Sequence, residues 1–492
     1  MSRSLAPFVL ALASLGLLAP TAVAAEADPV REQVEQVMDD AHVPGAAVAV
    51  VPKEGRVRTW TLGEDGDGQP VSEDTPFLLG SVSKSFTAAT VHDLVSQDRL
   101  RLEDRLGDLV PDHGIPDERA DDITVEQLLT HTSGLTRADG LAHTDRFDTE
   151  PGAVARQVRD LADVSLARDP GGGYEYSDLN YLLLGAVVEE AGEAPFADQV
   201  QRVAGLAGTD LVATPAAASA LPPGHRQVLG RAVAFDSPYD ASGTPYGYLG
   251  ADLEGTAAWA RGQLGGARSP SEDVLREMHT GRVETGSGDE YGHGWRIGEL
   301  DGEPIVEHTG ATPGYFSHVL LLPESETAVV VLANSYSEAR GTSLHAIAGD
   351  IARIEDGRSA QGASADPLLT WTPFVVVGVG VLGLLAALAV ITSYGRRWPV
   401  VALVVAVPVV ALALLVPGLV GYTSEQLRLW APDLGWGLWG VAATWTLAAG
   451  TALVALVRRR SVDLVPDEGG LPRRDEHDHR LPAVQVGDLR EH

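Results

Sequence analysis

The chain has 492 residues, 45% of them hydrophobic, enough for roughly two to four domains with real cores, so global disorder is excluded. It contains no cysteine, which excludes disulfides, zinc–thiolate sites and a cysteine nucleophile. With 68 acidic against 36 basic residues the formal charge is −32, which argues against nucleic acid as a partner and favours solubility.

Met1–Ala25 has a charged start at Arg3, an apolar Leu5–Leu18 and a small-residue Ala22-Val23-Ala24, the pattern of a secretory signal that is cleaved. Residues 26–357 then read as one mixed α/β domain. Pro29–Asp40 has helical spacing, and Gly45–Val51 and Arg56–Leu62 read as two strands joined near Lys53-Glu54-Gly55. Next comes Gly80-Ser81-Val82-Ser83-Lys84-Ser85-Phe86-Thr87, heading a helix expected over Ser81–Gln97. Residues three apart share a helix face, so the Lys84 amine can reach the Ser81 hydroxyl. A serine hydroxyl needs a base beside it to become a nucleophile. A lysine can be that base only if burial or a neighbouring positive charge lowers its pKa. Read alone, the pair also fits an N-cap serine with a surface lysine one turn on. The chain has only two lysines, Lys53 and Lys84, and uses arginine elsewhere, which favours chemistry at Lys84, since arginine cannot be deprotonated.

Pro170–Tyr181 is a glycine-rich loop entering a helix expected over Leu182–Ala191. Its Tyr176 could place a phenol beside Ser81 and Lys84 and accept the serine proton. By itself it also fits a loop tyrosine packing its ring. Strand signals return at Gly292–Ile297, His318–Leu322 and Ala328–Leu332, and a last helix is expected over Thr342–Ile354. Strands at both ends of the domain with helices between them predict one sheet completed by the N- and C-terminal segments. His308-Thr309-Gly310-Ala311, expected just before a strand, could line the edge of a site and offer a backbone N–H to an oxyanion, or could be a simple hairpin turn.

After a linker over 358–372, three apolar runs fill 373–457: Pro373–Tyr394, Pro399–Gly421 and Leu434–Val457, each long enough to cross a bilayer. Gly378–Gly383 matches a dinucleotide fingerprint formally, but inside an apolar run and without a βαβ setting it is rejected. Arg396-Arg397 follow the first run and Arg458-Arg459-Arg460 the third, which places both clusters, and the 458–492 tail, in the cytoplasm. The N-terminal domain then lies outside, where a signal peptide would deliver it. His477 and His479 in the tail read as solvated residues rather than metal ligands.

Four stretches resemble the serine β-lactamase/penicillin-binding-protein superfamily, in particular the class C β-lactamase-like serine hydrolases. They are F-x-x-G-S-V-S-K-S-F-T at Phe77–Thr87, L-L-T-H-T-S-G-L at Leu128–Leu135, P-G-G-x-x-x-Y-S-D-x-N-Y-x-L-L-G at Pro170–Gly185, and H-T-G-A-T-P-G-Y at His308–Tyr315. The resemblance spans about Val30 to Gly357. It implies an α+β fold: an antiparallel sheet flanked by helices, with a helical subdomain. It implies that Ser81 is the acylated nucleophile, Lys84 its partner base and Tyr176 a proton relay. The N–H groups of Ser81 and Ala311 would form an oxyanion hole, and Asp178, His308, Thr309 and Gly310 would contact substrate. The His131 segment is expected to be structural or to form a rim of the site. Two positions depart from the family pattern. Asp178 stands where asparagine is usual, and His308 stands where a cationic lysine would hold a substrate carboxylate, which shifts the expectation from β-lactams toward peptides and esters.

The whole reads as an exported, membrane-anchored serine hydrolase needing no metal or organic cofactor. Its expected partners are a small-molecule or peptide substrate and, through three helices, the lipid bilayer. Two rivals are a binding or sensing protein on a decayed enzyme fold, and a transport component. The intact Ser81/Lys84/Tyr176 set argues against the first, and the absence of charge within the apolar runs argues against the second.

Overall fold

A computed structural model describes residues 28–393 and 397–463. The expected signal segment, Arg396 and the tail beyond Asp463 lie outside these residues. The described chain divides into two compact units, residues 28–371 with 421–432, and residues 372–393, 397–420 and 433–463.

The first unit is built on an eight-stranded antiparallel sheet. Its strands are β1 (Gly45–Pro52), β2 (Arg58–Gly63), β3 (Val283–Glu284), β4 (Glu290–Tyr291), β5 (Arg296–Leu300), β6 (Glu303–Thr312), β7 (Tyr315–Leu322) and β8 (Thr327–Ala333). The spatial order is β2-β1-β8-β7-β6-β5-β4-β3, with Ala46 opposite Ala333 and Pro52 opposite Thr327 where the two ends of the domain meet. Both faces of the central strands are covered, which is why they read as continuous apolar runs rather than alternating ones. Val48, Val50, Leu320, Val329 and Val331 pack on one side under helix α1 (Pro29–Ala41) and a C-terminal helix, Gly341–Glu355. Ala47, Ala49, Val319, Val330 and Leu332 face a helical body that includes Phe86 and Trp259. The expected boundaries of α1 and of β1 hold to a residue or so. The expected strand over Gly292–Ile297 starts later, at Arg296, because Gly292–Trp295 form the turn that brings β4 to β5.

Two differences from expectation bear on function. Gly80–Val82 is a 3-10 turn that leads into helix α2 (Ser83–Ser96), so Ser81 precedes the α-helix proper. His308–Ala311 lies within β6 and not ahead of a strand; β6 runs on to Thr312 and turns through Pro313-Gly314 into β7. The apolar signal at Ile305-Val306 was the start of that strand.

Among the described residues the second unit is built from three helices, Pro367–Thr392, Arg397–Leu419 and Pro432–Asp463, the first and third beginning in the first unit. By length and composition all three qualify as membrane spans, with mean hydropathy of 2.9, 2.9 and 1.7. Their mutual contacts use small residues: Ala387, Ala406, Ala413 and Ala448 are buried, and a Cβ on Gly383 would meet Thr444 and Trp445. The Trp445 indole N–H donates to the Val379 carbonyl at 2.9 Å.

Candidate active site

The segment ahead of the nucleophile candidate is held from three sides. Phe77 and Leu78 pair with Ala251 and Gly250, the Leu79 N–H donates to the Leu249 carbonyl at 2.8 Å, and the Ser317 hydroxyl donates to the Leu79 carbonyl at 2.5 Å. Gly80 then takes φ +50° with its backbone against β6, where a Cβ would come within 2.2 Å of the Ala311 nitrogen. On the facing strand a Cβ at Gly310 would come within 2.0 Å of the Leu79 oxygen and 2.8 Å of the Ser81 nitrogen. No other residue type fits at either position, and this close approach sets the Ser81 backbone beside Gly310 and Ala311.

Lys84 is fully buried on α2. Its three ammonium N–H groups have three acceptors: Ser81 Oγ at 3.0 Å, Asp178 Oδ1 at 2.5 Å and the Tyr246 carbonyl at 2.8 Å. Its nitrogen also lies 5.0 Å from the centre of the Tyr176 ring. Burial opposes the charge, yet the neighbouring Asp178 carboxylate, together with Tyr176, outweighs it and holds the amine above the usual lysine range. The expectation of a neutral amine therefore does not hold: burial alone would have lowered the pKa, but the residue at the asparagine position is an acid.

Tyr176 and Asp178 are delivered by the glycine-rich loop and the first turn of helix α3 (Asp178–Gly192). Their support is the His131 segment, which lies beneath the loop rather than on the rim. His131 is 1% exposed, and its ring stacks at a tilt 4.4 Å from Tyr176. Its Nδ1 accepts from the Ser177 N–H at 3.2 Å and the Asn180 amide at 3.0 Å, which leaves the proton on Nε2. Burial, then the Lys84 charge, keeps this imidazole well below its ordinary pKa and so neutral. Asn180 in turn accepts from Ser133 at 2.5 Å, and the Tyr181 hydroxyl donates to the Leu129 carbonyl at 3.0 Å. These contacts give a structural reason for the L-L-T-H-T-S-G-L stretch.

His308 is 2% exposed. Its Nδ1 donates to the Thr309 carbonyl at 2.7 Å and its Nε2 accepts from the Tyr291 hydroxyl at 3.1 Å. Burial, then the charges of Lys84 and Arg296, hold it well below the usual histidine range, so it brings no cation. β5 pairs with β6 only as far as Arg296 opposite Glu307, so from His308 onward that edge of β6 has no strand beside it.

Ser81, Tyr176, Asp178, His308, Thr309, Gly310 and Ala311 all line one cavity of about 320 Å³, with Lys84 bonded to Ser81 beneath it. The structure thus gathers every expected site residue. It adds several that sequence reasoning missed. Arg296 is a lining cation, half-buried and paired with Asp289 at 2.8 Å. The Tyr246 carbonyl has no side-chain signature to find. Asp145, Tyr422 and Trp430 also line the cavity, the last two from a segment far along the chain. Among the described residues no group of three or more acidic or histidine side chains could hold a metal ion.

The fold is that of class C β-lactamases and related penicillin-binding proteins. A class C β-lactamase mutant matches with a TM-score of 0.57 at 19% identity, over 66% of this chain and 96% of its own. The D-alanine carboxypeptidase AmpC from Burkholderia cenocepacia matches with a TM-score of 0.52 at 22% identity, over 63% of this chain and 93% of its own. Penicillin-binding protein 4 of Amycolatopsis lactamdurans is 30% identical over 326 residues, which is 62% of this chain and 84% of that protein. The family model described as Beta-lactamase matches residues 30–352, and the chain belongs to that family.

Proposed function

We propose that this protein is a membrane-anchored, extracytoplasmic serine hydrolase that cleaves amide or ester bonds through an acyl-enzyme on Ser81. The observation that carries the reading is the Lys84 ammonium bonded at once to Ser81, Asp178 and the Tyr246 carbonyl. Held charged, Lys84 orients the hydroxyl and balances negative charge instead of abstracting the proton. That leaves Tyr176, within cation–π distance of Lys84 and lining the same cavity, to take the Ser81 proton in its phenolate form. Ser81 Oγ bonds to the substrate carbonyl carbon, and the carbonyl oxygen gains the charge. Tyr176 then passes the proton to the departing amine or alcohol as the carbon–nitrogen or carbon–oxygen bond breaks. Water, deprotonated by the same tyrosine, then attacks the acyl carbon, and the tyrosine returns that proton to Ser81 Oγ as the ester bond breaks and the acid leaves.

The oxyanion hole is assigned to the N–H groups of Ser81 and Ala311. In an antiparallel hairpin, hydrogen-bonded pairs alternate with non-bonded ones, and the two-residue turn closes on a bonded pair at Thr312–Tyr315. That parity turns the Ala311 N–H away from β7, toward Gly80 and Ser81. Two fixed donors at this edge supply the preorganised stabilisation that acyl transfer needs.

The substrate class is read from the family and from charge. D-amino-acid peptides, cell-wall peptides, β-lactams and small esters are the candidates, and a relative and a fold neighbour are named for penicillin binding and D-alanine carboxypeptidation. His308 offers no charge to a substrate carboxylate, and Arg296 is shared with Asp289, which favours peptides and esters over β-lactams. Domain limits at 26–357, with a removed signal at 1–25, a linker and three spans, follow the composition of the chain. The arginines at 397 and 458–460 support an outward-facing catalytic domain.

The test is labelling of the full chain by a fluorophosphonate or a fluorescent penicillin, followed by a panel of D-Ala-D-Ala peptides, nitrocefin and p-nitrophenyl esters. Labelling that disappears in Ser81→Ala supports the hydrolase. Absence of labelling by any acylating probe sinks it and leaves a binding protein on the same fold.

A further inference from the structure

The stretch joining the second and third apolar helices is not a free connection. Gly421–Pro432 belongs to the same compact unit as the catalytic residues. It contains a short helix, Ser424–Trp430, started by a capping box between Thr423 and Gln426. Gln426 is 5% exposed and Leu427 7%, unusual for a loop between spans. The Gln426 amide donates to the Leu141 carbonyl and lies 3.3 Å from the Thr144 hydroxyl. The Trp430 indole donates to Asp145 Oδ2 at 2.8 Å, while Tyr248 donates to Oδ1 of the same carboxylate at 2.5 Å. The Trp430 ring meets Tyr336 edge-to-face at 6.3 Å. Tyr422 and Trp430 then line the same cavity as Ser81 and Tyr176.

We propose that this interhelix segment is the outer wall of the active-site pocket and selects acyl donors by size. The inference rests on the hydrolase reading for the word donor, though not for the wall. It gives the second and third helices a task beyond anchoring: a single span would hold the domain at the membrane but could not return the chain to the cleft. The wall is aromatic and half-buried and is tied to the domain by directional bonds, so it narrows the approach to Ser81. Small or end-on acyl groups enter, and bulky ones meet Tyr422 and Trp430.

The test uses the full chain in detergent and exploits the absence of cysteine. Ser81→Cys supplies a single thiol at the cavity floor, whose alkylation needs none of the hydrolytic machinery. Rates are compared for iodoacetamide and for a bulky fluorescein maleimide. The chains compared are the native segment, Trp430→Ala, and a replacement of Thr423–Trp430 by glycine and serine. Removing the wall is expected to raise the bulky-to-small rate ratio about tenfold, and Trp430→Ala to raise it about threefold. An unchanged ratio in both overturns the proposal. Gln426→Ala in the Ser81→Cys chain removes the bonds to Leu141 and Thr144 and is expected to raise the ratio in the same direction; an unchanged ratio there also overturns the docked wall, whether or not the replacement chain folds. Lack of fluorophosphonate labelling in the unsubstituted chain would sink the hydrolase reading and leave the thiol ratios to judge the wall.

Discussion

The floor and the outer wall of the cleft are held by different physics. At the floor, Lys84 is sealed from solvent and directs all three N–H groups at fixed acceptors, two of them on α2's neighbours and one on the nucleophile candidate itself. At the wall, Trp430 is half-buried, reaches one carboxylate through its indole and otherwise packs its ring against Tyr336. Inside a low-dielectric floor, the loss of one charged partner leaves the other stranded. At a partly wet wall, the loss of one ring removes contact area and little else. The floor should therefore respond to substitution in the chemistry itself, and the wall in the choice of substrate.

The largest effect is expected at the nucleophile. Ser81→Ala should remove covalent labelling altogether and lower hydrolysis by at least about a thousandfold; labelling that survives would move the reaction to another residue. Tyr176→Phe keeps the ring over His131 and removes the hydroxyl, so a drop in kcat of about 10²–10⁴-fold with an unchanged melting temperature is expected. A negligible drop would return the base role to Lys84.

Asp178→Asn probes the same floor more gently. The carboxylate is what lifts the Lys84 pKa against burial, so its removal should move the lysine's titration, and the alkaline limb of the pH–rate profile, toward lower pH. A limb that stays in place would mean that Asp178 does not set the lysine's charge.

The smallest effect belongs to the wall's anchor. Burial pushes the Asp145 carboxyl up to about 6, despite hydrogen bonds from Tyr248 and Trp430. Between pH ~4 and the folded value the native state keeps a proton that the unfolded chain has lost. Stability should thus fall as pH rises through this window and stay lower above it, by no more than about 3 kcal/mol. Denaturation midpoints for the unsubstituted chain relative to Asp145→Asn, followed from pH 4 to 7, should narrow in that direction; a flat difference would remove Asp145 as the wall's titrating anchor.

Much of this was legible in the residues. The S-x-x-K pair, the Y-S-D loop and the H-T-G run carry local patterns; helical spacing marked α1, and continuous apolar runs marked β1 and the late strands, because a helix buried on one face and a strand buried on both leave those patterns. The course of β6 was harder to see. Its glycine, threonine and histidine run lacks an apolar stripe, since its open edge faces a cleft and Gly310 must admit the Ser81 backbone. The protonation of Lys84 was also out of reach, because it depends on which partner stands within 3 Å, and Asp178 is far away in sequence.

The sequence by itself determined the chemistry available, a hydroxyl, an amine and a phenol in family order, and the three apolar runs, because both are written in local composition and spacing. Only the tertiary structure decided that the lysine's charge is held by Asp178, that burial keeps His308 neutral and that a segment between two apolar helices lines the pocket. Those outcomes depend on distances between residues remote along the chain, and charge, burial and enclosure exist only once such residues meet.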